Sequence, residues 1–170
     1  MQRGLQRWRL IGAVVGLLAV AAAGCDGDAG SDTDFVNDIA AAVQAVEAEL
    51  GAGQQFFEVT ATARFTNVFV ATDGATAVIP YVFLDGELGP SAPSRPAKGH
   101  TFTAEQVDFD EEAILSQVVD EVPEATIESL SVEGGADETV RYVVAVRSPA
   151  GGVLDVTVSP DGAVLEVDPV

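Results

Sequence analysis

Val156-Thr157-Val158-Ser159-Pro160-Asp161-Gly162-Ala163-Val164-Leu165-Glu166-Val167 holds two strand-like runs joined at Pro160-Asp161-Gly162. Asp-Gly accepts the backbone angles of a tight hairpin turn. Val156 and Val158 alternate with Thr157 and Ser159, as in a strand with one buried face. Working back from this hairpin, residues 139–147 and 125–132 read as two further strands. Residues 110–121 read as a helix, with Ile114, Leu115, Val118, Val119 and Val122 on one face and Pro123 ending it. Asp108, Asp110, Glu111 and Glu112 stand where the positive end of the helix dipole favours acids.

The first half repeats this order. Residues 34–50 carry Phe35, Ile39, Val43, Val46 and Leu50 at three- and four-residue steps, the mark of an amphipathic helix. Asp32, Thr33 and Asp34 are N-cap candidates, and Gly51 is the stop. Residues 57–65, 68–71 and 77–84 read as strands, with turns at Thr72-Asp73-Gly74 and Asp85-Gly86. Pro80 lacks a backbone donor, which places its strand at an edge or a bulge. A shift of 76 residues lays Asp85-Gly86 on Asp161-Gly162, and Ile39, Val43 and Val46 on Leu115, Val119 and Val122. The fold class expected is therefore α+β, with two helix-plus-antiparallel-sheet units at 34–88 and 105–170. Between them, 89–104 is a Pro-rich linker.

The second half resembles PepSY-type domains: a helix, a Pro-Glu break, then Tyr142-Val143-Val144-Ala145-Val146 and the hairpin quoted above. Tandem copies resemble the β-lactamase-inhibitor-protein-like lipoproteins and secreted proteins. The resemblance covers about residues 111–167, and 34–88 more weakly. It implies a non-catalytic binding or inhibitory module of the cell envelope and carries no catalytic residue onto this chain.

Ahead of the first unit, Arg3, Arg7 and Arg9 precede an apolar run over residues 10–23. This is the order of a secretory signal, and the run falls short of the ~20 residues a membrane-spanning helix needs. Ala22-Ala23-Gly24-Cys25 resembles the lipobox of bacterial lipoproteins, although Ala22 replaces the more common leucine. Residues 1–24 are then a lipoprotein signal peptide, Cys25 is the acylated first residue, and the acidic, glycine-rich residues 25–33 are a flexible tether. The protein is expected on the extracytoplasmic side of the cell membrane, held by two acyl chains.

Charge narrows the partners. The chain of 170 residues carries −19; removing 24 residues with three arginines and no acid leaves 146 residues carrying −22. That excludes a nucleic-acid binder dependent on phosphate neutralisation, and electrostatic attachment to anionic lipid. His100 is the single histidine, so a multi-histidine metal site is ruled out, and no Gly-x-Ser-x-Gly occurs. The acids around Asp110 lack the Asp-x-Asp-x-Asp-Gly spacing of a calcium loop. No cofactor, metal or catalytic residue is expected. Arg95, Lys98 and His100 form a basic island in an acidic chain and are the candidate partner-binding residues. Phe56, Phe57, Phe65, Phe69, Tyr81 and Phe83 are expected mostly to face the core. The function expected is a protein-binding or inhibitory module, not an enzyme; the alternative is a carrier of lipid or glycolipid.

Overall fold

A computed structural model describes Val36 and residues 38–170. The expected signal peptide, Cys25, the expected tether and Phe35 lie outside the described residues. The described residues form two α-helices and a large antiparallel sheet, an α+β architecture.

Helix α1 (Asp38–Leu50) buries Ile39, Ala42, Val43 and Val46, a three- and four-residue spacing that places all four on one face. The N-cap candidates Asp32, Thr33 and Asp34 lie outside the described residues. Gly51 follows at φ +96°, and its N–H donates to the Glu47 carbonyl at 2.9 Å, closing the last turn. Strands β1 (Gln55–Thr62), β2 (Thr66–Thr72), β3 (Ala77–Leu84) and β4 (Glu87–Leu88) then form a meander. Helix α2 (Glu111–Glu121) is capped by Asp110, whose Oδ1 accepts from the Ala113 N–H at 3.0 Å. It buries Ile114 and Val118; Leu115 and Val122 are half-buried, while Val119 is 46 % exposed. The apolar face is thus narrower than its sequence predicts. A second meander follows: β7 (Thr126–Gly134), β8 (Val140–Arg147), β9 (Val153–Val158) and β10 (Val164–Pro169).

The two meanders join through their first strands. β1 and β7 run antiparallel, with Val59 opposite Val132 and Ala61 opposite Leu130. The strand order is β10-β9-β8-β7-β1-β2-β3-β4, so the two halves share one sheet and one core. On the core face Tyr81, Val68, Val59, Val132, Tyr142 and Val158 line one row, paired strand to strand. Both helices contribute to the same apolar cluster, so both lie against this face.

Each half runs from a helix into a four-stranded meander, and the offset between like positions is not constant. Val70 and Val146 hold equivalent places opposite Phe56 and Ile127: 76 residues separate the first two, 71 the second two. The buried helix residues Ile39 and Val43 answer to Ile114 and Val118, one position short of the 76-residue alignment. A helix face turns by about 100° per residue, so one position decides which side is buried.

Residues 89–104 run along the sheet instead of standing clear of it. The Ala92 N–H donates to the Pro80 carbonyl at 2.8 Å, and β5 (Arg95–Pro96) pairs with the start of β3. Pro80 sits on the outer edge of β3, between the stretches paired with β4 and β5. There its missing N–H costs no ladder bond. The segment passes the Thr76 carbonyl, which accepts from the Ala97 N–H, and ends in β6 (Phe102–Thr103) beside the start of β1. A bulge at Phe57 shifts the β1 register just where β6 takes over from β7 as its neighbour.

Candidate functional site

Both helices cover one face of the sheet, and the other face is built from strand residues that alternate away from the core. Read across the strands, one row is Val82, Asn67, Thr60, Ser131, Val143 and Thr157. A neighbouring row is Pro80, Phe69, Glu58, Glu133 and Arg141, and a third is Thr62, Ser129, Ala145 and Asp155. Hydroxyls, carboxylates and scattered apolar groups thus alternate over a broad surface. Glu58, Thr60, Asn67, Phe69, Ser131, Glu133 and Thr157 are half-buried by their neighbours, and Val82 is exposed.

The centre of this face is the β1–β7 seam. Thr60 Oγ1 and Ser131 Oγ lie 2.8 Å apart, and the Thr60 hydroxyl donates to the Glu58 carboxylate. Glu58 and Glu133 stand directly opposite one another. Burial pushes the Glu133 carboxyl above the usual carboxylate range; Arg141 opposes this, while Glu58 and Asp155 add to it. At the rim Arg147 meets Glu128 at 2.6 Å, an exposed ion pair of small energetic weight. Chemically, the face offers hydrogen-bond donors and acceptors on a continuously paired sheet. Among the described residues, no group of three or more His, Cys, Asp or Glu is placed to hold a metal.

The basic island is spread out. Arg95 pairs with Val78 on the outer edge of β3, whereas the His100 backbone bridges Gly134 at the end of β7. Strand spacings of about 4.8 Å set β3 and β7 some ~14 Å apart. Arg95, Lys98 and His100 are all exposed, arrayed along the end of the sheet and not converging on one point. The aromatic residues divide. Phe56, Tyr81 and Phe83 enter the core as expected, Phe69 lies on the outer face, and Phe65 is 37 % exposed. The outer face had a signal in the sequence, since Thr60 and Thr62, and Ser129 and Ser131, fall at alternate positions. The pairing that aligns them had none.

A two-layer α+β protein whose described residues leave one sheet face uncovered is the class this geometry defines. No protein-family model matches the chain, and no curated protein matches it. Its fold is similar to the crystal structure of a candidate lipoprotein from Clostridium difficile 630 (TM-score 0.55, 12 % identity), covering 82 % of this chain and 97 % of that one. At that identity the likeness speaks for the fold. No helix among the described residues is long and apolar enough to cross a membrane.

Proposed function

We propose that the protein is a cell-envelope lipoprotein, held on the extracytoplasmic side of the membrane by an acylated Cys25. Its folded part, two related PepSY-like units sharing one sheet, acts as a non-catalytic protein-binding or inhibitory module. The observation that carries this reading is the sheet face that the described residues leave uncovered, where Phe69 and Val82 interleave with Thr60, Ser131, Glu58 and Arg141 across five strands. Protein interfaces are enriched in aromatic and Arg contacts and carry a polar, hydrogen-bonding rim. Arg95, Lys98 and His100 add a cationic margin at the end of the sheet. The lipobox-like Ala22-Ala23-Gly24-Cys25 and the fold shared with a candidate lipoprotein support the anchor.

The carrier alternative needs an enclosed apolar volume. The described groove of about 870 Å³ beside α2 is open and half lined by acids, which favours the protein-binding reading.

The test is photo-crosslinking of the full chain in its own envelope, with the crosslinker at Thr60 or Ser131 and, as a control, at Gln44 on the exposed side of α1. A recurrent protein captured from the sheet positions and lost on Glu58→Arg is the expected result. Recurrent lipid without protein, or equal capture from Gln44, would overturn it. Mass spectrometry of the N-terminal peptide for a diacylated Cys25 checks the anchor separately.

A further inference from the structure

We infer that the groove along α2 is a second docking site, which takes a cationic amphipathic segment of a partner polypeptide. It goes beyond the sheet-face reading, because it lies on the helix side of the molecule. The groove holds about 870 Å³, with Phe109, Leu115, Val119 and Ile127 as its apolar residues and Asp108, Asp110, Glu112 and Asp120 among its rim. Val119, in the last turn of α2, is 46 % exposed and lines the groove with an apolar side chain.

Hydrogen bonds and a ring contact tie the wall to the sheet. Tyr142 is buried in β8; its hydroxyl donates to the Asp108 carbonyl at 2.9 Å and accepts from the Asp108 N–H at 3.2 Å. The Phe109 ring packs on Tyr142 with centroids 5.3 Å apart. A smaller depression sharing Asp108 and Phe109 extends the groove to Val36 and to Ala40 of α1. Pre-ordering of this kind lowers the entropic cost of binding a partner.

Charge decides the occupant. Asp110 and Glu112 serve the helix N-terminus, but Asp120 lies in the last turn of α2, which has no basic residue. An acid there opposes the helix dipole, so helix stability does not account for it. No basic residue lines the groove. A second copy of the chain from Cys25, at −22, and its own residues Asp26, Asp28 and Asp32 carry the same sign as the rim. A helix with Leu-like residues at three- and four-residue steps flanked by Lys or Arg complements both the apolar strip and the acids.

The full lipidated chain in an uncharged detergent is titrated with a fluorescein-labelled Leu/Lys amphipathic peptide, with a scrambled peptide as control. Anisotropy should show saturable binding that weakens with salt and, by about tenfold or more, with Val119→Glu or Asp120→Lys. Amide protection on binding should rise over residues 108–120. Absence of binding, equal binding of the scrambled peptide, or equal loss on Glu166→Lys (the same charge change on β10, outside the groove) would overturn it. So would salt-dependent dimerisation that protects the groove without peptide. If a groove variant melts early, the protection map on the unaltered chain decides. Sheet-face crosslinking is unaffected by either result, so the two readings fail separately.

Discussion

Thr66 is the one polar residue among the described ones that is fully buried, and its Oγ1 has no hydrogen-bond partner. A buried polar atom without a partner keeps its desolvation cost, whereas an apolar isostere does not. Thr66→Val is therefore expected to leave stability unchanged or to raise it by about 1 kcal/mol, read from urea denaturation midpoints. Glu133 works in the other direction. Its folded-state pKa lies above the unfolded value because burial disfavours the charge. Between the two values the folded state binds more protons, so stability falls as pH rises through that window. Glu133→Gln should raise the thermal midpoint at neutral pH, and the gain should close as pH falls to about 4. A gain that persists in acid would contradict the assignment.

At the scale of elements, the 89–104 segment and α2 are held by specific close approaches. A Cβ on Gly134 would stand 2.3 Å from the His100 carbonyl oxygen and 2.7 Å from the Thr101 nitrogen. Both are backbone atoms that cannot swing aside. Gly134→Ala should cost about 1–3 kcal/mol and speed amide exchange across 99–103 before the rest of the sheet. Tyr142→Phe removes both bonds to the Asp108 backbone and should cost about 1–2 kcal/mol, loosening the entry to α2 while leaving the β8–β9 ladder protected. Much at this scale was legible in the sequence. Residues 77–84 are a strand with those bounds, Asp110 heads its helix, and Asp85-Gly86 lies in a turn at positive φ. The misreadings have physical causes. Helix periodicity places a face but not a start, so α1 begins at Asp38 instead of Asp34. Val119 satisfies the apolar spacing yet points outward, since spacing alone does not say how wide a stripe the sheet covers.

For the whole molecule the β1–β7 seam is decisive, because it makes one core from two halves. Val59, Ala61, Leu130 and Val132 are fully buried along it. Unfolding is expected in a single transition, with tryptophan-independent probes in the two halves coinciding. Leu130→Ala should cost about 2–5 kcal/mol and lower the midpoint of both halves together. Two separated transitions in calorimetry would show instead that each unit stands alone.

The sequence by itself determined the local alphabet: α+β composition, helix and strand order, hairpin turns, acidity, and the lipobox-like leader expected to carry the anchor. These follow from periodicity and from residue chemistry within a few positions. Only the tertiary structure decided that the two first strands pair, that the 89–104 segment straps the sheet, and that Glu58, Thr60, Ser131 and Glu133 share a face. Ser131 meets Thr60 across 71 positions of chain. No local pattern carries information over that distance, and only the burial of two meanders against one pair of helices brings them together.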